Sequence, residues 1–181
     1  MAQDYTKTLN LPQTDFSMRA NLPTREPEIY EKWTALDLYK TIINKNAGKP
    51  KFILHDGPPY ANGNIHLGHA LNKILKDFIV RYRNMSGYCA PFIPGWDTHG
   101  LPIENQMIKK HGIKRNEVDT VKFRELCDQF ARENVDRQRT QLKRLGAIAD
   151  WDNPYMTIIP GFEAEQIRIF GKMTENGYIY K

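Results

Sequence analysis

The fold is decided by residues 51–93, KFILHDGPPYANGNIHLGHALNKILKDFIVRYRNMSGYCAPFI. Residues 51–55 are a short apolar run that ends at a Gly-Pro-Pro turn, which is typical of a buried strand leading into a loop. Apolar residues within 67–82 recur at helical spacing, and Gly87 suits the position just beyond the end of that helix. A second strand is predicted over 88–93. Strand, helix and strand in this order predict a βαβ unit with parallel strands, and hence an α/β fold.

The regions on either side of this unit are simpler. Pro12 and Pro23 interrupt a polar start, which favours an extended arm. Mixed charge with helical periodicity predicts the helices further along, and Gly146 and Gly177 suit their C-terminal ends. The predicted elements are an arm over 1–25 and helices over 26–46, 120–145 and 162–175.

The composition describes a globular protein of one domain. The 181 residues are 26% charged and 40% apolar, which argues against intrinsic disorder. No apolar run reaches the roughly 18 residues of a membrane span, and the N-terminus lacks the pattern of a secretory signal. Cys89 and Cys127 stand far apart, so we expect free thiols in a reducing, cytoplasmic compartment. The net charge of +5 favours contact with polyanions without naming one.

Two polar loops carry the predicted chemistry. In a parallel sheet the loops after both strands open onto one crevice, where ligands bind. His66 and His69 straddle the predicted start of the helix, so both rings can lie on one side of it. A helix N-terminus offers free N–H groups and a partial positive charge, and imidazoles add hydrogen-bond donors. Neither the P-loop nor the dinucleotide-binding glycine pattern is present. The residues therefore predict a phosphate-handling site of another kind.

Two alternatives remain open on this reading. Imidazoles and carboxylates could converge on a metal ion, as in a metal-dependent hydrolase, although no Cys pair assists. The chain could also be a basic nucleic-acid-binding module without chemistry. The residues available to a metal are His55, Asp56, His66, His69, Asp97 and His99. The basic residues that could approach RNA, or simply form a solvated helix face, are Arg137, Arg139, Lys143 and Arg144.

A family resemblance narrows these possibilities. Residues 56–78 resemble the His-Ile-Gly-His signature region of class I aminoacyl-tRNA synthetases, with Leu67 in place of the motif's Ile. The lead-in Asp-Gly-Pro-Pro-Tyr-Ala-Asn-Gly is similar to that of the isoleucine-specific members, and so is the second loop, PGWDTHGLPIE, over 94–104. The resemblance extends more loosely over nearly the whole chain. It implies the first half of a Rossmann-like catalytic domain over 48–181, preceded by an arm and a helix over 1–47.

The resemblance also implies roles for individual residues. His66 and His69 would bind ATP and stabilise the transition state as the amino-acid carboxylate attacks the α-phosphate, while Gly68 leaves room for the adenosine. The Pro58 carbonyl and the Asp97 carboxylate would hold the substrate ammonium, which charge pairing also favours. Four weaker candidates are Tyr60, Asn62, Trp96 and His99, since an aromatic beside a Pro-rich turn could simply pack. The residues implied in ATP binding are Pro59, Tyr60, Asn62, Gly63, His66, Gly68 and His69.

The implied partners are isoleucine, ATP with Mg²⁺ as substrate, and tRNA(Ile), and a monomer is expected. The Lys-Met-Ser-Lys-Ser loop of the family's second catalytic half does not occur in this sequence, and neither does the editing domain. The family's zinc would belong to a C-terminal region. We therefore expect an N-terminal fragment, truncated before the editing insertion, with weak ATP binding and little complete charging activity.

Overall fold

The computed structural model describes residues 5–10, 14–15, 17–113 and 117–181. Two compact units are present, Met1–Leu36 and Asp37–Lys181. The domain boundary expected at residue 47 lies inside the second unit. Pro12, on which the predicted arm partly rests, lies outside the described residues.

The first unit is more helical than predicted. A short 3-10 helix covers Thr6–Thr8, and helix α1 covers Leu22–Ala35. The prediction of an extended arm as far as residue 25 is therefore wrong at its end. Pro23 does not block the helix because it lies in the first turn, where a missing N–H costs nothing.

The helix predicted over 26–46 is two helices. Helix α2 begins the second unit and covers Leu38–Lys45. Asp37, which precedes it, adopts a left-handed backbone conformation with φ of 42°. A non-glycine residue in that region ends a right-handed helix, so the continuous apolar spacing did not imply a continuous helix.

The βαβ arrangement is confirmed, with shorter strands than expected. Lys51 pairs with Cys89 in a parallel bridge, and helix α3, Leu67–Met85, connects them. Gly87 follows α3 with φ of 92°, as predicted. The next rung of this ladder would need an N–H from residue 91, which is Pro91, so the predicted strands over 51–55 and 88–93 pair at one bridge only.

The regular strand pair lies further along the chain. Strand β1, Gly95–Trp96, is parallel to strand β2, Tyr155–Met156, with Gly95 opposite Tyr155. A second isolated parallel bridge joins Tyr60 to Asp97. The architecture is mixed α/β, with parallel pairing at every described bridge.

Helix α4, Leu101–His111, was not predicted. Its first turn contains Pro102, and the sequence there was assigned to the second loop. Ile103 and Met107, one turn apart, are its buried residues, and α4 packs against α5. Proline in a first turn is compatible with a helix, so the loop assignment was too long.

The two later helices are confirmed. Helix α5 covers Thr120–Arg144 and helix α6 covers Pro160–Glu175. The Asp119 carboxylate caps α5 by accepting from the N–H groups of Val121 and Lys122. Gly146 and Gly177 follow the two helices with positive φ, as expected. Among the described residues, no helix has the length and apolar character needed to cross a membrane.

The core of the second unit is aromatic and lies beside β1. Trp96, Phe92 and Phe123 are at most 2% exposed. Helix α3 contributes differently from what its apolar spacing suggests. Its buried residues are Lys73, Asp77 and Val80, whereas its apolar stripe is exposed. That stripe consists of Leu67, Leu71, Leu75, Phe78, Ile79, Tyr82 and Met85.

Candidate functional site

The two predicted loops meet directly. The N–H of Asp97 in the second loop donates to the carbonyl of Pro59 in the first, over 2.8 Å. The Asp97 carbonyl in turn accepts from the N–H of Ala61 at 3.0 Å. These two bonds place the backbones of the two loops side by side.

His66 and His69 form the N-terminal cap of α3. His66 is the N-cap residue, and its Nδ1 accepts from the N–H of Gly68 at 3.1 Å. The Nδ1 of His69 accepts from the N–H of His66 at 3.1 Å, which completes a capping box. The ring centroids are 3.9 Å apart. A Cβ on Gly68 would lie 3.0 Å from Cε1 of His66, so glycine also leaves room for this ring.

The capping bonds determine where the imidazole protons lie. A nitrogen that accepts a hydrogen bond from a backbone N–H carries no proton, so both Nδ1 atoms are unprotonated. Each neutral ring therefore carries its proton on Nε2. The helix start thus presents two Nε2–H donors together with its own N–H groups.

Burial lowers the pKa of His69 below the usual 6.5, and the neighbouring His66 and Lys73 lower it further. The folded protein therefore binds a proton on His69 less readily than the unfolded chain does. Stability from this group is complete above pH 6.5 and decreases as the pH falls below that value. Protonation of Nδ1 would also break the bond to the N–H of His66.

We expect His69 to titrate below pH 6.5 and to hold its neutral proton on Nε2. Nitrogen-15 NMR of the imidazole groups during a pH titration measures both properties. His69→Asn, which removes the titrating ring, should abolish the corresponding loss of stability in acid. A His69 that titrates at or above 6.5, or that carries its neutral proton on Nδ1, would contradict this description of the cap.

A cavity of about 300 Å³ opens at this helix terminus. It lies between the first loop and the first two turns of α3. Its walls combine backbone from the Gly-Pro-Pro turn with the two imidazoles and one ammonium. The lining residues are Gly57, Pro58, Pro59, Tyr60, His66, Gly68, His69, Asn72 and Lys73.

A buried charge cluster that includes one lining residue of the cavity, Lys73, was not predicted. Asp56 is fully buried, and its carboxylate pairs with the ammonium groups of Lys73 and Lys76. The same carboxylate accepts from the N–H of Gly95 at 2.9 Å. Lys73 and Lys76 follow His66 by 7 and 10 residues in the sequence, which is helical spacing on the histidine face of α3. That spacing was the available signal.

A second unpredicted contact comes from α5. The Gln138 carboxamide, fully buried, donates to the carbonyls of Tyr60 and Gly63 and accepts from Nε1 of Trp96. One turn later, Gln141 accepts from the N–H of Ile65 at 2.9 Å. The two glutamines fix the backbone of the first loop immediately before His66. No local pattern in the sequence indicated a contact over this separation.

Residues 28–181 match the family model described as tRNA synthetases class I (I, L, M and V). The chain belongs to the class I tRNA synthetases. The isoleucine–tRNA ligase of Thermoanaerobacter sp. (strain X514) is 61% identical over 178 residues, which are 98% of this chain and 19% of the relative. That of Syntrophomonas wolfei is 63% identical over 177 residues, with the same shares. The chain thus spans about a fifth of the length of these relatives.

A solved synthetase has the same fold. The LeuRS of Agrobacterium radiobacter K84, in a ternary complex with tRNA and LeuAMS, superposes with a TM-score of 0.68 at 25% identity. The superposition covers 90% of this chain and 19% of that one. The prediction of a partial Rossmann-like synthetase domain is confirmed by this likeness and by the family match.

In the present chain, most of the residues implied in ATP binding lie around the cavity at the start of α3. Pro59, Tyr60, His66, Gly68 and His69 line it, together with Pro58 from the implied amino-acid site. The remaining three residues do not line it. These are Asn62, Gly63 and Asp97.

Asp97 lies beside the cavity through its backbone, and its carboxylate Oδ1 accepts from the Thr157 hydroxyl at 3.5 Å. The same Oδ1 accepts from the N–H of His99 at 3.2 Å. The weaker candidates have structural contacts. Trp96 is completely buried, and Nε2 of His99 lies 3.0 Å from Oε1 of Glu163. For Trp96 this position favours the packing alternative.

The six residues weighed as metal ligands do not converge. Asp56 is paired with two lysines, His55 stacks on Tyr155, and His99 pairs with Glu163. Within the described ranges, no three His, Cys, Asp or Glu side chains are arranged to hold a metal ion.

Proposed function

We propose that this chain supplies part of the ATP and isoleucine site of an isoleucine–tRNA ligase. In the full-length enzyme, isoleucine and ATP would form isoleucyl-adenylate, and the isoleucyl group would then pass to tRNA(Ile). The proposal is carried by the His66–His69 cap, which brings two Nε2–H donors and a helix N-terminus to one cavity. The high identity to isoleucine–tRNA ligases supports the choice of amino acid.

The arrangement suits phosphoryl chemistry by a carboxylate nucleophile. A carboxylate oxygen of isoleucine would form the new bond to the α-phosphorus, and pyrophosphate would leave with the electrons of the broken P–O bond. A carboxylate needs no general base, so the protein has to position the reactants and stabilise charge. Neutral imidazoles donate hydrogen bonds to phosphate oxygens at pH 7, and the low pKa of His69 keeps that ring neutral.

The amino acid would bind on the other side of the Gly-Pro-Pro turn. The Pro58 carbonyl and the Asp97 carboxylate would hold its ammonium, and the bridge between Tyr60, two residues after Pro58, and Asp97 supports this. Isoleucine differs from valine by one methylene, which is worth about 1–3 kcal/mol in a pocket. Selection by this site would therefore be modest.

The remaining expectations form part of the same proposal. ATP would bind as its Mg²⁺ complex, the enzyme would act as a monomer, and any zinc would lie outside this chain. A cytoplasmic location agrees with the free thiols of Cys89 and Cys127.

Isoleucine-dependent ATP–pyrophosphate exchange tests the proposed function in a full-length synthetase that contains these residues. Replacing His66 or His69 by Asn should lower kcat about 100-fold or more, the effect typical of losing a donor to developing charge. His111→Asn is the matched control, because His111 is exposed at the end of α4 and does not line the cavity. Unchanged exchange in both cavity variants would refute the proposal, as would a preference for another amino acid.

A further inference from the structure

Asp56 connects four segments around the proposed nucleotide site. Its carboxylate Oδ1 lies 2.7 Å from Nζ of Lys76, and Oδ2 pairs with Nζ of Lys73. The N–H of Gly95, at the start of β1, donates to Oδ2. The hydroxyl of Tyr155, on β2, donates to the backbone carbonyl of Asp56. The first loop, α3 and both strands are therefore joined at one residue.

The cluster reaches the cavity through Lys73. This lysine lines the cavity, whereas Asp56 lies directly before Gly57, the first residue of the lining turn. His66, His69 and Lys73 occupy one face of α3 on successive turns. A fixed distance between Lys73 and Asp56 therefore fixes the distance between the imidazole pair and the Gly-Pro-Pro turn.

A gain in conformational stability does not by itself explain why these charged side chains are buried. Lys73 and Asp56 have side chains that are 3% and 0% exposed, so both ions lose nearly all of their hydration. Burial lowers the pKa of Lys73, and the attraction of Asp56 opposes that shift. Buried ion pairs of this kind are often no more stabilising than apolar residues of similar volume. What they supply is a directional contact between two defined atoms.

We propose that Asp56 and Lys73 are positioning residues that hold the His66–His69 end of α3 against the Pro58–Pro59 turn. This inference rests on the proposed function, because it assigns the pair to alignment of the nucleotide site. Lys76 is the minor partner, since its side chain is 15% exposed and water can replace its contact.

The test separates positioning from stability in the full-length synthetase. Lys73→Met removes the ammonium at similar length but leaves Asp56 buried and unpaired, so this variant alone could fail by unfolding. The double variant Asp56→Asn/Lys73→Met removes both charges, and the amide oxygen can still accept from the N–H of Gly95. We expect its denaturation midpoint to stay close to that of the wild type.

The kinetic readout is the exchange reaction with isoleucine. A displacement of about 1 Å at a reacting centre can cost 100-fold, so kcat of the double variant should fall about 10- to 100-fold. KM for ATP should change less than kcat. Lys73→Arg, which keeps the charge and can still pair with Asp56, should retain most of kcat. Lys76→Met is the matched control and should lower kcat less than threefold.

A stable double variant with the kcat of the wild type would overturn the positioning role. Equal losses of kcat in Lys76→Met and Lys73→Met, at unchanged stability, would also overturn it. The loss would then follow from removing any positive charge near the site and not from the contact between Lys73 and Asp56. Failure of the proposed function looks different. In that case the wild type itself would lack isoleucine-dependent exchange, or the Asn variants of His66 and His69 would retain it.

Discussion

Gly95→Ala should lower the free energy of unfolding by about 3 kcal/mol, at the upper end of the range for overpacking. A Cβ on Gly95 would lie 2.0 Å from Cζ of the Tyr155 ring. The ring cannot easily move away, because it is stacked between His55 and Phe162 with centroid distances of 5.6 and 6.0 Å. Its hydroxyl is also held by the Asp56 carbonyl.

Burial raises the pKa of Tyr155 to about 12, and the charges of Asp56 and Asp97 add to that shift. The phenol therefore remains a donor throughout the useful pH range. Urea unfolding followed by circular dichroism measures the stability change. Gly63→Ala is the control, since nothing lies within 4 Å of its Cβ position.

In a background that already carries Tyr155→Ala, Gly95→Ala should lower the free energy of unfolding much less than it does in the wild type, because the ring that the new Cβ would strike is absent. Strict additivity of the two losses would show that the ring is not what excludes a side chain at Gly95.

Gln138→Leu is expected to cost about 3 kcal/mol or more. The change would leave the Nε1–H of Trp96 and the carbonyls of Tyr60 and Gly63 without their partner. Each buried polar group left unsatisfied costs about 1–3 kcal/mol. The first loop should also lose its fixed conformation, so ATP affinity should fall with stability.

Gln141→Leu is the matched control for this prediction. It is the same substitution one turn further along α5, and it also removes contacts with the first loop, at Asn64 and Ile65. Gln141 is only half-buried, however, so water can take over its hydrogen bonds. The loss of stability, measured by urea unfolding, should be under about 1 kcal/mol. Equal losses in the two variants would contradict the assignment of Gln138 as the main contact.

The start and the end of α3 were readable from the sequence because they depend on local chemistry. His66 and His69 were expected to straddle the start of α3, and Gly87 to follow its last turn, and both expectations are confirmed. The buried face of that helix was not readable. Apolar spacing points to the stripe through Leu71, which is 58% exposed, whereas Lys73 is 2% exposed. A charged residue is buried when a partner such as Asp56 is near, and that partner lies 17 residues away.

The predictions for the strands and for the segment that forms α4 failed for different reasons. The sequence indicates extended segments over 51–55 and 88–93, but an extended segment need not pair along its length, and Pro91 lacks the N–H needed to continue the pairing. Residues 101–104 were assigned to the second loop, although Pro102 lies in the first turn of α4, where proline is compatible with a helix. The contact of Gln138 with Gly63 spans 75 residues, and pairings at such a distance leave no mark in a local pattern.

We propose that the cavity at the N-terminus of α3 binds the phosphates of ATP. The most direct measurement is nitrogen-15 NMR of the imidazole groups of the 181-residue chain during titration with ATP and Mg²⁺. We predict saturable changes in the Nε2 signals of His66 and His69 at millimolar ATP, little change at His111, and much smaller changes with adenosine. Saturating binding that leaves both cavity histidines unchanged, or equal responses to adenosine, would contradict the claim.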